Sequence, residues 1–215
     1  EDTYYDEVDI AGFLKKGENK IAILVWYFGK DGFSHNSSGK AALIFDCQTP
    51  QFELLTDNSW KSKIHPAFGQ ADAPIPNFRL PESNIRYNAL KGNFDFTKAG
   101  YVSKSWRKVI AMGIPPIAPW NILVKRPIPQ WKNFGMKKYE NDLTYPFVSN
   151  GDTIVGILPY NAQITPYFKI EAQGGEEIKI QTDHYKGGGP INVRGEYVAR
   201  KGLQEYENLG WMNGQ

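Results

Sequence analysis

The chain has 215 residues with 25 basic and 23 acidic side chains, and a formal charge of +2 gives no reason to infer a nucleic-acid-binding surface. Its 41% hydrophobic and 22% charged residues are the composition of a folded globular protein rather than a disordered one. The longest apolar run, residues 21–28, is far shorter than the ~20 residues that cross a bilayer. Cys47 is the single cysteine, which excludes an internal disulfide framework.

Glycine, proline and aromatic residues set the expected fold class. The chain has 21 glycines and 14 prolines, which leave few stretches long enough for helices. Aromatic residues make up 14% of the chain and favour half-buried strands. The composition therefore predicts an all-β protein.

The first readable elements are a short helical turn and a strand. Asp9 is placed to accept hydrogen bonds at the start of a turn over residues 10–14, and Gly17 permits a left-handed exit. Residues 21–28 follow and are apolar on both alternating faces, which predicts a strand inside a sandwich, covered front and back. A buried helix is the alternative, but glycines bracket the run and β-branched residues occur within it.

A polar loop and a hairpin are predicted next. Residues 29–40 are small and polar, as is typical of a loop. Residues 41–45 and 52–55 have the pattern of strands, with Thr49 and Pro50 between them. Asp57 then begins a turn that ends at Trp60.

The middle of the chain divides it into two predicted modules. Residues 114–129 contain five prolines, which exclude a helix and favour a stiff, extended connector. We therefore predict two antiparallel β-sandwiches of the jelly-roll, galactose-binding-like type, joined by this connector. The predicted ranges are 1–118 for a partial first sandwich, 119–143 for the connector and 144–215 for a second sandwich. Strands of the second are expected at 153–158, 167–171, 178–182, 195–200 and 204–207.

An aromatic strand end beside the polar loop is the candidate binding site. Trp26 and Tyr27 end the apolar run, and His35 and Asn36 lie in the loop that follows. Sugars bind by stacking their CH faces on aromatic rings while polar neighbours take the hydroxyl groups. The alternative is that Trp26 and Phe28 belong to the core and the loop is merely solvated.

No complete catalytic pair is expected in this chain. Glycoside hydrolysis requires two carboxyl groups in different environments that flank the sugar bond. Glu205 and Glu207 would share one face of a strand, and we expect that face to lie in water. His184, next to Asp183, is expected to be a loop residue, since no nucleophile partner is identifiable. We therefore assign no catalytic residue and no cofactor.

Metal binding has one candidate cluster, near the start of the chain. Asp2, Asp6, Glu7 and Asp9 together could hold calcium, although surface acidity and helix capping are commoner reasons for such residues. The three histidines lack the spacing of a zinc site. We predict no metal site.

Several separated stretches resemble the N-terminal, non-catalytic region of bacterial α-L-rhamnosidases of the glycoside hydrolase family 78 type. They occur in the family's order and cover most of the chain, although Asn88 stands where the family has Asp and Leu90 where it has Arg. The similar stretches are residues 8–14, 17–19, 21–23, 56–61, 87–89, 100–101, 105–108, 123–129, 204–207 and 210–214.

This resemblance implies a role within a larger enzyme. In the family, a downstream (α/α)₆ barrel hydrolyses terminal α-L-rhamnose with inversion, and this chain matches none of the family's catalytic motifs. The chain is therefore expected to be a segment of a longer enzyme that supports the barrel and contacts a rhamnose-containing glycan. The resemblance also implies an extracytoplasmic location, periplasmic or secreted.

Three other functions remain open from the sequence. The first is a stand-alone carbohydrate-binding or adhesin module. The second is a complete small enzyme on a sandwich scaffold. The third is a structural, partner-binding sandwich, which no feature of the sequence specifically supports. No nucleic-acid partner and no membrane span are expected.

Overall fold

The computed structural model describes residues 3–29, 31, 36–49, 51–71, 85–92, 96, 98, 100–141, 143–182 and 193–214. Within these residues the secondary structure consists of β-strands and two short 3-10 turns, with no α-helix. The prediction of an all-β chain is confirmed at this level. No helix in the described segments has the length and hydrophobicity to cross a bilayer.

The strands are short, and most of them pair in antiparallel fashion. Only β1–β8 and β12–β6 are parallel among the described pairs. The 3-10 turns span Ala11–Phe13 and Ala89–Lys91. In chain order the strands are β1 (Thr3–Tyr5), β2 (Asp46–Gln48), β3 (Glu53–Leu55), β4 (Lys61–Ser62), β5 (Phe68–Gln70), β6 (Ile85–Asn88), β7 (Arg107–Lys108), β8 (Leu123–Lys125), β9 (Ala162–Ile164), β10 (Tyr167–Ala172), β11 (Glu177–Gln181), β12 (Val193–Val198), β13 (Gly202–Glu207) and β14 (Met212–Gly214).

The chain divides into two compact units, each assembled from separated segments. Residues 65–93, which fall in the first predicted module, belong to the second unit. The module boundaries at residues 118 and 144 stay a prediction. The first unit comprises Glu1–Asp31, His35–Ile64 and Phe94–Lys132, and the second comprises Gly32–Ser34, His65–Asn93 and Asn133–Gln215.

The start of the first unit follows the sequence closely. The Asp9 carboxylate accepts a hydrogen bond from the Ala11 amide at 2.9 Å, at the start of the first 3-10 turn. Gly17 has a φ of +98°, the left-handed conformation expected of it. The predicted capped turn is therefore confirmed, although the helical part is only Ala11–Phe13.

Local hydrogen bonds also form the predicted hairpin and turn. Strands β2 and β3 pair across Thr49, whose amide donates to the Phe52 carbonyl at 2.9 Å. The Asp57 carboxylate accepts from the Ser59 amide at 2.8 Å, and the Trp60 amide donates to the Asp57 carbonyl. The strand predicted at 52–55 is confirmed as β3, whereas the strand predicted at 41–45 is wrong, because those residues form no strand and β2 begins at Asp46.

The proline-rich segment is not only a connector. Ile117 forms a β-bridge with Asn121, and β8 pairs in parallel with β1. Pro127 and Pro129 follow β8 rather than interrupt it, so its backbone donors stay intact.

A four-stranded sheet with the order β11–β12–β6–β5 organises the second unit. Tyr197 on β12 lies directly opposite Tyr87 on β6, so both side chains lie on the same face of the sheet. These tyrosines belong to one hydrophobic cluster with Phe168 and Tyr206 of the β10–β13 pair. The ring centroids of Tyr197 and Tyr206 lie 4.5 Å apart, and Tyr197 is only 2% exposed. This aromatic cluster is the core of the second unit.

Two buried amides complete this core. The Gln204 side chain accepts from the Tyr197 hydroxyl at 2.8 Å and from the Arg200 amide at 2.9 Å, and its own amide donates to the carbonyls of Arg200 and Gly202. Asn208 accepts from the Tyr206 hydroxyl at 3.0 Å. Because their polar atoms are hydrogen-bonded, both amides are buried without a large desolvation cost.

Two further predicted strands are absent from the described residues. Residues 21–28 form no strand, and most of their side chains are exposed, so the predicted buried central strand is wrong. Residues 153–158 likewise form none. In both runs the apolar side chains do not alternate with polar ones, so the pattern specifies no face to be buried. The strands predicted at 167–171, 178–182, 195–200 and 204–207 are confirmed, within two residues at each end, as β10 to β13.

Candidate functional site

Trp26 lies on the exposed apolar segment formed by residues 21–29. Its side chain is 48% exposed, and its ring meets the Phe28 ring edge to face with centroids 4.8 Å apart. The two residues are separated by one position, so an extended backbone directs their side chains to the same side. The alternative that Trp26 belongs to the core is contradicted, and its indole surface is available to a ligand.

Tyr27 contacts the polar loop on its C-terminal side. Its hydroxyl lies 3.5 Å from the Ser37 hydroxyl, and its ring packs over Gly29, where a Cβ would come within 3.3 Å of the ring. Gly29 also has a φ of +73°, which favours glycine at this position. The backbone therefore bends immediately after Tyr27 and brings its hydroxyl to Ser37.

The loop beyond Tyr27 is organised by short-range hydrogen bonds. The Ser37 amide donates to the Asp31 carboxylate at 2.7 Å, and the Ser37 hydroxyl accepts from the Gly39 amide at 3.2 Å. The Ser38 hydroxyl donates to the Lys40 carbonyl at 2.8 Å. Hydroxyl and carboxylate groups thus cluster beside an exposed tyrosine, which is an arrangement suited to hydroxyl-rich ligands.

The four predicted site residues have different outcomes. Trp26 and Tyr27 are both exposed, as a sugar-contact role requires, but one contacts Phe28 and the other Ser37. Asn36 is exposed and makes no hydrogen bond to either ring residue within the described part of the chain. His35 lies outside the described residues. Sequence reasoning did not single out Ser37, although its place in a Ser-Ser-Gly turn was visible.

The predicted acidic cluster near the start of the chain is largely neutralised by basic residues. Asp6 forms a two-bond pair with the Arg126 guanidinium, at 2.6 and 3.1 Å, and Glu7 pairs with Lys125 at 2.5 Å. The Arg126 hydrogen bond lowers the pKa of the Asp6 carboxyl. Asp2 lies outside the described residues, and no group of metal ligands occurs among those that are described. The calcium alternative therefore receives no support from Asp6, Glu7 and Asp9, which have other partners.

Glu205 and Glu207 lie on the exposed face of β13, as the sequence predicted. Glu205 pairs with Lys169 on the neighbouring strand at 3.1 Å, and this contact lowers the pKa of the Glu205 carboxyl. Glu207 accepts a hydrogen bond from the Thr165 hydroxyl at 2.6 Å. Neither carboxylate has the apolar surroundings that a catalytic acid requires.

A third pair of carboxylates was missed by sequence reasoning. Arg86 on β6 donates to Glu196 on β12 at 2.9 Å and to Glu177 at the start of β11 at 2.7 Å. The Glu196 side chain is nearly buried, and the hydrogen bond from Arg86 to Glu177 raises the pKa of the guanidinium. One guanidinium binds both carboxylates, so the cluster is a structural ion-pair network and not an acid with a base. The only sequence signal was a charged residue before a tyrosine on β6 and on β12, which is too common a pattern to identify an ion-pair network.

His184 and Asp183, which the sequence assigned to a loop, lie outside the described residues. Among the described residues that the sequence singled out, the exposed aromatic segment with its polar loop remains the candidate site. No protein-family model, curated protein or solved structure matches this chain.

Proposed function

We propose that this chain is a non-catalytic β-rich segment of an α-L-rhamnosidase-like glycoside hydrolase. In this role it supports a downstream (α/α)₆ barrel that hydrolyses terminal α-L-rhamnose with inversion, and it contacts the glycan through Trp26 and Tyr27. The two jelly-roll sandwiches, the larger parent polypeptide and an extracytoplasmic location are parts of the same proposal. They rest on the ordered stretches of sequence that resemble that family.

The exposure of the Trp26 ring is the observation that most supports a carbohydrate contact. A tryptophan that is about half exposed leaves apolar surface in water, and a sugar's CH face can cover that surface. Tyr27 adds a hydroxyl next to Ser37, and such groups exchange hydrogen bonds with sugar hydroxyls. A combination of one aromatic face and several nearby polar groups suits a hydroxyl-rich ligand.

The pairing of the described carboxylates supports the non-catalytic part of the proposal. Glu177 and Glu196 share Arg86, and Glu205 pairs with Lys169. An inverting glycosidase requires one carboxylic acid that protonates the leaving group and one carboxylate that activates water. These ion-paired groups are unsuited to that division of roles.

Titration calorimetry of the 215-residue chain with a rhamnose-containing oligosaccharide tests the contact. We expect saturable heat for the natural chain, and an affinity about threefold to tenfold lower for Trp26→Ala. Tyr27→Phe removes only the hydroxyl and should have a smaller effect. Trp131→Ala is the matched control, because it removes another highly exposed tryptophan from a different segment. Equal binding by Trp26→Ala and Trp131→Ala would contradict the assigned contact.

Hydrolysis of p-nitrophenyl α-L-rhamnopyranoside tests the division of labour. The 215-residue chain should show no turnover, whereas the complete polypeptide encoded by its gene should release nitrophenol. Turnover by the 215-residue chain alone would overturn the proposal in favour of a small complete enzyme. Sugar binding combined with an inactive complete polypeptide would instead favour the stand-alone carbohydrate-binding or adhesin module.

A further inference from the structure

The β4–β7 pair concentrates positive charge on a chain that is otherwise close to neutral. Lys61 lies directly opposite Lys108, and Ser62 lies opposite Arg107. Residues 59–71 and 96–139 contain no Asp or Glu, so the two strands and their flanks are purely basic in sequence. We call Lys61, Ser62, Lys63, Arg107 and Lys108 the basic ribbon.

Like charges face each other across this pair. Residues directly opposite on antiparallel strands have Cβ atoms about 4.5–5.5 Å apart, and like charges in such positions are destabilising. Lys61 and Lys108 are both exposed, so nothing about burial requires this pairing. An anion placed between the two ammonium groups would convert the repulsion into two attractive contacts.

One hydroxyl group lies beside these charges. Successive residues of a strand point to opposite faces, so Ser62 faces away from Lys61 and Lys108. Ser105 lies two positions before β7. The Lys63 ammonium lies 3.4 Å from the Ser105 hydroxyl, which joins the two sides at this end. The surface therefore offers both charge-assisted donors and a hydroxyl group to one ligand.

The ribbon is held at both ends by tryptophans. Trp60, half-buried, precedes β4 and donates its indole N–H to the Leu55 carbonyl at 2.9 Å. Trp106, also half-buried, precedes β7 and donates to the Tyr101 hydroxyl at 3.0 Å. The Val109 amide donates to the Trp60 carbonyl at 3.2 Å and extends the ladder. The lysines thus project from a supported backbone, which lowers the entropic cost of binding.

We propose that the basic ribbon binds a carboxylate-bearing polysaccharide. The inference deepens the proposed function, on which it rests for the glycan class, and it names a second, acidic sugar component at a different site from Trp26. A glycan of this kind presents carboxylates and hydroxyls together, which matches ammonium groups that lie beside the Ser105 hydroxyl. Nucleic-acid binding is less well matched, because the overall pI is near 8.5 and the tryptophan rings are tied into the fold instead of being exposed for base stacking.

Binding of polygalacturonate to the 215-residue chain tests this proposal. We expect saturable binding at about 0.05 M salt that weakens strongly at about 0.5 M, because exposed charges are screened. The double variant K61Q/K108Q should bind roughly fivefold or more weakly, while its melting temperature stays equal or rises because the repulsion is removed. The control K137Q/K138Q removes the same charge from another exposed segment and should bind as the natural chain does.

Each arm has a defined result. Absence of binding at low salt, or equal weakening by both double variants, would overturn the proposal, since the latter indicates a net-charge effect. Tighter binding of a single-stranded thymidine oligonucleotide than of polygalacturonate would also overturn it, in favour of a nucleic-acid surface. Trp26→Ala separates the two proposals, because it should weaken binding of the rhamnose-containing oligosaccharide and leave binding of polygalacturonate unchanged. A negative result at one site can therefore be distinguished from a negative result at the other.

Discussion

The exposed segment 21–29 and the strands β12 and β13 are both rich in aromatic and apolar residues, yet their environments are opposite. Trp26 is 48% exposed, whereas Tyr197 and Tyr206 are almost fully buried. β12 and β13 lie inside the second unit, where neighbouring strands and rings cover Tyr197 and Tyr206. Residues 21–28 form no strand and pair with no neighbouring strand in the described part of the chain. The comparison teaches that coverage by paired strands, and not hydrophobic content alone, determines which aromatic residues form a core.

The largest expected difference in stability is between the variants Tyr197→Ala and Trp26→Ala. Tyr197 contacts Tyr87, Phe168 and Tyr206, so its truncation leaves a cavity and should cost about 3–5 kcal/mol of unfolding free energy. Trp26→Ala should change the free energy of unfolding by only about 0.5 kcal/mol. Urea unfolding measures both values.

Hydrogen exchange locates the same effect in the chain. In Tyr197→Ala, amide protection should fall in peptides covering β10 to β13 and stay unchanged in peptides covering residues 21–29. If the two substitutions destabilised equally, the contrast between an exposed and a buried aromatic region would be wrong.

A smaller difference in stability is expected within the four-stranded sheet, between the variants Gly195→Ala and Gly69→Ala. A Cβ at Gly195 would lie 2.8 Å from the Asn208 side-chain oxygen and 3.3 Å from the Met212 methyl group. Overpacking of this kind should cost about 1–3 kcal/mol. Gly69, on β5, has no atom within 4 Å of such a Cβ, so its substitution should be close to neutral. Thermal unfolding compares them, and equal melting temperatures would argue against close packing of β12 on Asn208.

The smallest expected effect is a pH dependence of stability that arises from His65 in the second unit. Burial lowers the pKa of the His65 imidazole from its ordinary value of 6.5, and its Nδ1 accepts a hydrogen bond from the Ala67 amide at 3.3 Å. The unfolded chain therefore binds this proton more readily than the folded chain does. The stabilising contribution is complete above about pH 6.5 and is lost as the pH falls below it.

His65→Phe should flatten this dependence. The ring of His65 contacts those of Phe68 and Tyr87, so phenylalanine retains the aromatic contact but cannot be protonated. Melting temperatures at about pH 7 and about pH 5 should differ less for the variant than for the natural chain. An unchanged difference would show that other groups control stability in this range.

The elements that the sequence predicted correctly are those encoded locally. Asp9 caps its turn, Asp57 forms its turn through Ser59, and the strands β10 to β13 begin and end within two residues of where they were expected. Each of these depends on residues only a few positions apart, or on a period of two. By contrast, the pairing of β6 with β12 joins residues about a hundred positions apart, and no local pattern encodes such a pair.

The candidate site was predictable in its residue types and not in its geometry. The exposure of Trp26 could not be read from a run that looked like a core strand, because burial depends on what covers the run. The contact between Tyr27 and Ser37 depends on the bend at Gly29, which composition indicates only in general terms. The Arg86 network required knowledge of strand neighbours.

The inner position of β6 in its sheet has a consequence for the order of assembly during synthesis. β6 pairs with β5, which precedes it in the chain, and with β12, which the ribosome adds only after roughly a hundred further residues. One edge of β6 therefore stays unpaired while the intervening chain is synthesised. Pairings between residues so distant in sequence also form slowly. A nascent chain that ends before residue 193 would leave that edge open to other strands, so the second unit is expected to depend on chaperone protection until its last strands emerge.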